Sequence, residues 1–381
     1  MRIRSGPKIV GLDIGTSGIR AVELTRDRRS GDHIIARAAS VELPRGSVSN
    51  GVIIEADVVA KALRRLWREG RFSTRKVAFG LADGSVLTRQ LELPWMPADD
   101  FRTALRYQIN DALPVELETV EIDYHLLEEV RRVDDHGQPV DVNRILVVAA
   151  NSAAVTAEAS VLRRARLVPV RADSAAFALI RAACRGVLPT NDDVLAIADI
   201  GADQLTVVIY RAGQPRFIRA IANLGGETAT VAVAERLRVS PEAAEQLKRE
   251  TGLNGPAPVI APIAESTVFG GVAGGGPAID PRVTATVDTL NPWATTVINE
   301  IRNSLDYFHA SEPTVSVQSL TITGRTADLT GLVDRIGTQI PLPIRVMDPM
   351  AGLTAARRVA KRLDRDTRLA VAAGLAMGGG A

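Results

Sequence analysis

The stretch KIVGLDIGTSGIRAVEL (residues 8–24) decides the fold, because its grammar returns as VLAIADIGADQLTVVIY at residues 194–210. Each copy is an apolar strand that ends in Asp-Ile-Gly, makes a short polar turn and re-enters an alternating strand. Outward from the first copy, HIIARAASVEL (33–43) predicts a third strand. EADVVAKALRRLWRE (55–69) predicts a helix, with Val58, Val59, Ala62, Leu63, Leu66 and Trp67 at helical spacing. The second copy is followed in the same order by a strand, PRFIRAIANL (215–224), and a helix, GETATVAVAERL (226–237). Three antiparallel strands and a helix, twice, predict an internally duplicated α/β protein.

The segment between the copies has a different plan. KVAFGLADGSVLTRQLELP (76–94) reads as a strand pair, and ADDFRTALRYQINDAL (98–113) as an amphipathic helix striped by Phe101, Leu105, Ile109 and Leu113. VEIDYHLLEEVRR and VNRILVVAAN read as strands joined through VDDHGQP, and SAAVTAEASVLRRARL (152–167) as a further helix. The expected organisation is therefore a first lobe from 8–76 and 166–190, an α+β insertion at 77–165, and a second lobe from 191–381. Within the last, 252–282 is rich in Gly, Pro and Ala and predicts a mobile surface loop. TTVINEIRNSLDYFHA (295–310) predicts a helix striped by Val297, Ile301, Leu305 and Phe308.

Composition excludes several classes. The 46 basic residues face 44 acidic ones, a balance unlike the basic excess of a dedicated nucleic-acid binder. The basic run RRLWREGRFSTRK (64–76) reads as a solvated helix face. One cysteine, Cys184, allows no internal disulfide and suits a reducing cytosol. His33, His125, His136 and His309 are scattered without cysteine partners, which argues against a metal centre built from them. Asp13 interrupts the first apolar stretch too early for a signal peptide. No window approaches the ~18–20 apolar residues that cross a bilayer. The expectation is a soluble protein, any membrane association of which would be borrowed from a partner; recruitment from the cytoplasm to the inner face of the membrane through that partner is what the resemblance described below implies.

The twin turns carry the chemistry. Gly15, Thr16 and Ser17 in the first, and Gly201 and Ala202 in the second, let backbone N–H groups approach an anion. Asp13 and Asp199, just before the turns, would repel phosphates unless a Mg²⁺ ion and its waters stood between. Two such half-sites facing each other make a clamp for a nucleotide's phosphates. A single Asp-x-Gly turn is also ordinary hairpin chemistry, so the remaining motifs decide.

GLDIGTSGIRAVEL and IADIGADQLTVVIYRAG resemble the two phosphate motifs of the actin, heat-shock chaperone and sugar-kinase ATPase superfamily. LTITGRTADLTGL (320–332) resembles its adenosine motif and TRLAVAAGLAMG (367–378) its late connecting helix. SPEAAEQLKRE (240–250) is similar to the helix that reaches ribose and base, which implies those roles for Glu245 and Lys248, with Gly324 and Arg325 beside the adenine. The resemblance implies a duplicated actin-like, ribonuclease H-like fold of two lobes, with ATP and Mg²⁺ as ligands. The position of the insertion resembles the FtsA/PilM branch. The wording LTRQLELPWMPADDFRTALRYQINDALPVELETVEIDYHLLEE is similar to the PilM family pattern. FtsA also carries a terminal membrane-targeting helix that is not read here.

Membership of the PilM family implies an ATP-binding scaffold of type IV pilus assembly. It would bind the cytoplasmic N-terminal tail of a PilN-like inner-membrane protein, without nucleic acid and without inserting into the membrane itself. A polymerising FtsA-like division actin and a small-metabolite kinase are the rivals. Two departures from the pattern stand out. The adenosine motif has Arg325 where a second glycine is usual, so its side chain either crowds the adenine or stacks on it. Position 20 is Arg20 rather than lysine, beyond the turn. A water-orienting residue would come from 172–182, where the polar candidates are Asp173 and Ser174; the expectation is slow or no hydrolysis.

Overall fold

The duplicated hairpins become the centres of two sheets with the same strand order. The computed structural model describes residues 8–26, 32–109, 112–133, 137–186, 193–255, 280–348, 353–355 and 367–378. In the first lobe, β1 (Val10–Gly15), β2 (Gly18–Arg26) and β3 (His33–Glu42) form an antiparallel meander. A small hairpin of β4 (Val48–Ser49) and β5 (Val52–Ile53) precedes helix α1 (Ala56–Gly70). Strand β6 (Lys76–Leu81) then joins β1 in parallel, the pairing a helical crossover permits.

The expected strand pair over 76–94 does not form. β6 lies in the first-lobe sheet, whereas β7 (Val86–Pro94) starts a separate sheet. That sheet pairs β7 and β8 (Val120–Val133) on either side of β9 (Pro139–Asn151), and α2 (Ala98–Ile109) covers it. The stripe Phe101, Leu105, Ile109 and Leu113 is its core. Helix α3 (Ser152–Arg164) also departs from the expected insertion. Its Ala159, Val161 and Leu162 pack with Leu63, Leu66 and Val77 in the first-lobe core. A parallel partner leaves no local signal in sequence, and β6 is bounded by Asp and Gly residues that mimic a hairpin turn. The insert also touches the second lobe, where Arg216 Nη1 lies 3.4 Å from Glu128 Oε1.

Strand β10 (Val168–Ser174) completes the first sheet beside β6, and α4 (Ala175–Gly186) leads into the second lobe. There β11 (Val194–Ile200), β12 (Gln204–Arg211) and β13 (Gln214–Ala222) repeat the meander. Helices α5 (Gly226–Leu237), α6 (Pro241–Thr251) and α7 (Pro281–Ser311) follow. Strand β14 (Ser319–Thr323) adds in parallel to β11, and after α8 (Leu332–Gln339) β15 (Ile344–Val346) adds to β14. The sheets read β10-β6-β1-β2-β3 and β15-β14-β11-β12-β13, the duplication expected from sequence. A short β16 (Thr354–Ala355) extends the first sheet beyond β3.

Helix α7 starts well before residue 295, because Asp280 caps it by accepting from Arg282 N and Pro281 pre-sets its first turn. The predicted loop at 252–282 lies mostly outside the described residues. Among the described residues, no helix is long and apolar enough to cross a membrane.

The last helix, α9 (Ala370–Met377), joins the halves. It packs with α4 and with Ile197, Val208 and Tyr210 of the second sheet, while Ala372 and Ala373 pack on Val22, Leu24 and Ile35 of the first. Contact is at the backbone: a Cβ on Gly374 would stand 1.8 Å from the Ala178 carbonyl oxygen, and one on Gly11 2.1 Å from that of Ala372.

Alanine at 374 would gain about 1 kcal/mol of helix propensity and lose more to overpacking against backbone that cannot turn aside. Gly374→Ala should therefore destabilise the fold by about 2–3 kcal/mol in denaturant titration. Gly84→Ala, with open space around its Cβ, should stay within about 0.5 kcal/mol.

Candidate functional site

The first turn is set by strand register. Asp13 stands opposite Arg20 and Gly15 opposite Gly18, which leaves Thr16 and Ser17 as a two-residue tip. In the second, Ile200 stands opposite Leu205, and Gly201 N–H donates to Gln204 O at 2.9 Å. The Gly201 amide is thus spent inside the turn and is not the anion donor expected of it. The turn is braced from α5, whose Glu227 N–H donates to Ala202 O at 2.8 Å, and from Thr326, whose hydroxyl donates to Gly201 O at 2.8 Å.

Both turns face one cleft. A cavity of about 120 Å³ is lined by Asp13, Gly15, Thr16, Ser17, Asp199, Gly201, Ala202, Gly324 and Arg325. It shares Thr16, Ser17, Ala202, Asp203, Arg325 and Arg368 with a cavity of about 1120 Å³ that is also lined by Glu245 and Lys248. The fold therefore assembles all eleven residues singled out in the motifs around a single cleft. Gly324 is required there: its φ is +94°, and a Cβ would stand 2.3 Å from Asp199 Oδ1.

Arg20 belongs to the site, although sequence placed it beyond the turn. Its guanidinium folds back, with Nη1 3.4 Å from Asp13 Oδ2 and Nη2 donating to Ser17 Oγ at 3.1 Å. The signal was the two-residue tip, which makes position 20 the cross-strand neighbour of position 13. Burial pushes the Asp13 carboxyl above its ordinary range, against the opposing charge and hydrogen bond of Arg20. Asp13 and Asp199, oxygen donors that line one cavity, are the residues that could hold a divalent cation there. Among the described residues, no group of three or more His, Cys, Asp or Glu side chains could hold a metal by itself.

Lys248 departs from its expected place at the base. It is buried, and its ammonium donates to Gly226 O at 2.8 Å, Thr230 Oγ1 at 2.7 Å and Glu245 Oε2 at 2.6 Å. Its three protons are all engaged, so it ties α6 to the start of α5 and fixes Glu245. Burial raises the Glu245 carboxyl, but the Lys248 charge and hydrogen bonds from Lys248, Thr230 and Arg249 prevail and hold it at about 2. Arg325 points to the same group, its Nη2 3.8 Å from Glu245 Oε1.

The water-orienting candidates are not at the cleft. Asp173 is held by Arg181 Nη2 at 2.5 Å beside α9, and Ser174 is buried without lining the cavity. From 172–182 the cavity receives only Ala175 and Leu179. Cys184 is half-buried and its thiol is pushed up to about 11 by burial, which disfavours the thiolate.

Two lobes of one sheet order, each presenting an Asp-x-Gly turn to a shared cleft, define the actin-like ATPase fold. The family described as type IV pilus assembly protein PilM matches residues 11–268 and 283–379, and the chain belongs to that family. A solved structure described as a PilM–PilN type IV pilus biogenesis complex is similar with a TM-score of 0.76 at 24% identity, over 97% of each chain. The ethanolamine utilization protein EutJ from Carboxydothermus hydrogenoformans is similar with a TM-score of 0.51 at 15% identity, over 98% of this chain and 90% of that one. These likenesses are of fold.

Lys248→Met leaves three acceptors in the site without their shared donor and should cost about 3 kcal/mol of unfolding free energy. Arg249→Ala, exposed at the helix surface, should cost less than about 1 kcal/mol. A pH effect follows from Glu158 on α3, a buried carboxyl pushed up to about 8 by burial and then by the charge of Asp13. The unfolded chain releases this proton near 4.5 and the folded chain near 8. Between those values the folded state holds the extra proton, so stability falls as pH rises. In metal-free buffer the parent should lose about 3–5 kcal/mol relative to Glu158→Gln between pH 5 and pH 8. Parallel pH profiles for the two proteins would contradict this.

Proposed function

We propose that this chain is an ATP-binding adaptor of type IV pilus assembly that docks the cytoplasmic N-terminal tail of a PilN-like inner-membrane protein. The observation that carries the nucleotide half is the single cleft into which both turns, Glu245 and Arg325 project. The partner half is supported by family membership across the chain and by the fold shared with a solved structure described as a PilM–PilN type IV pilus biogenesis complex. Ser17, Ala202 and the guanidinium of Arg20 would contact the phosphates, and Gly15 lets them approach the first strand closely. Asp13 and Asp199 would hold Mg²⁺, which offsets phosphate charge. Glu245, ionised and fixed by Lys248, would accept from the ribose hydroxyls, and Arg325 would close the base side.

With no polar side chain from 172–182 at the cavity, turnover is slow and ATP acts as a ligand that favours the closed pair of lobes. The same lack argues against the kinase reading, which needs a base beside its acceptor hydroxyl. The protein would work in the cytoplasm, recruited to the inner face of the membrane by its partner.

Titrating the full chain with a synthetic PilN-like tail peptide should give saturable one-to-one binding in a calorimeter. Absence of heat with and without Mg-ATP would count against the adaptor. Mg-ATP at about a hundredfold excess over its Kd should stabilise the parent by about 2.7 kcal/mol, read as a raised thermal midpoint. Asp199→Asn should remove that rise while remaining folded.

A further inference from the structure

The segment between β3 and α1 belongs to the first lobe yet reaches across the cleft. It is anchored below by Val48, buried in the first-lobe core, and by Ser47, whose hydroxyl donates to Glu55 Oε2 at 3.0 Å. At its tip, Asn50 and Gly51 both have positive φ, 46° and 77°, the two-residue turn that tight hairpins favour. This tip meets the second phosphate turn. Asn50 N–H donates to Asp203 Oδ2 at 2.9 Å, and the hydroxyl of Thr16 donates to the same oxygen at 2.6 Å. Asn50 Nδ2 donates to Asn223 Oδ1 at 3.3 Å. Near the other end, Arg45 pairs with Glu227, lies 3.8 Å from Glu242, and donates to Pro241 O at 3.4 Å. The segment also forms one wall of the larger cavity, through Leu43–Gly46, Val48 and Ser49.

We infer that residues 43–54 are a strap that closes the cleft from the first lobe, with Asp203 of the second lobe as its catch, and that this latch sets how fast nucleotide enters and leaves. The anchoring contacts, the buried Val48 and the Ser47–Glu55 hydrogen bond, are internal to the first lobe, whereas those to the second lobe are hydrogen bonds and ion pairs at the cleft. Polar contacts of this kind are exchanged for water at small net cost, so the strap opens at its second-lobe end without unfolding its base. Asp203 is the common point, since one carboxylate oxygen gathers a donor from the strap and a donor from the first phosphate turn. Removing it unfastens both.

The nucleotide part of this inference rests on the reading of the cleft as an ATP site; the closure does not. In the full chain, Asp203→Ala and Arg45→Ala should each release a fluorescent ATP analogue at least about tenfold faster than the parent, the loss of hydrogen bonds to a charged acceptor. Asp203→Asn keeps the shape and one acceptor oxygen, and should fall between if Asp203→Ala folds poorly. The second readout uses no nucleotide. Arg45→Ala should speed hydrogen exchange at the Asn50 amide, a group that Arg45 does not touch, because the strap leaves as one body. Unchanged release from Asp203→Ala or Asp203→Asn would overturn the inference, as would an Asn50 amide that exchanges freely in the nucleotide-free parent. A parent that binds no analogue would refute the ATP site, and the amide measurement would still decide whether the strap is closed.

Discussion

Three stretches of backbone meet at the pivot of this molecule with no side chain between them. Gly374 lets α9 lie against the carbonyl of Ala178 in α4, and Gly11 lets β1 lie against the carbonyl of Ala372 in α9. Interiors packed at crystal-like density have no slack at such a place. The angle between α4 and α9 therefore fixes the angle between the two sheets, and the two phosphate turns can face one cleft only because that angle is held. Arg171 and Arg181 bind the end of the joint by donating to the carbonyls of Leu375 and Gly374, two of the last four carbonyls of α9.

The cleft is built from charges that the protein pairs internally. Asp13 is paired with Arg20, Glu245 with Lys248 and Arg249, and Asp203 gathers donors from the opposite lobe. An unpaired carboxylate at this depth would be costly, and a phosphate approaching it would be repelled. Pairing answers the first problem and leaves Arg20 and Arg325 on the cleft wall, where they soften the second. The site is preorganised by contacts distant from any ligand, such as the Lys248 ammonium that fastens two helices together.

Much of the fold was legible because its strongest signal, the Asp-Ile-Gly hairpin, is local and occurs twice. Antiparallel meanders and amphipathic helices announce themselves through periodicity, as Phe101, Leu105 and Ile109 did. Parallel strands do not: the partner of Lys76–Leu81 is β1 on one side and β10 on the other, far away in sequence. The expected helix over 295–310 is the second half of α7, whose earlier turns carry Pro292 inside the helix, with Trp293 anchored to Gly225 O. Motif residues that adjoin the turns were readable, as Asp13, Thr16, Asp199 and Gly324 show by lining one cavity. Asp203 was passed over, and Arg20 set beyond the turn, because their importance lies in what they meet across a strand or a cleft; Lys248 was read as a ribose or base contact because sequence does not show the neighbours that engage its protons.

The contact between Arg216 and Glu128 gives the insert a second footing, since its chain is continuous with one lobe and it leans on the other. Glu128 sits part-way along β8, counted from Val120 near the insert's base to Val133 near its tip. The β8–β9 ladder shifts register between Leu126 and Glu128, so the pair is made where the strand departs from its regular course. The insert is thus held at two places, by covalent continuity with the first lobe and by an ion pair to the second, and its position is not set by the first lobe alone.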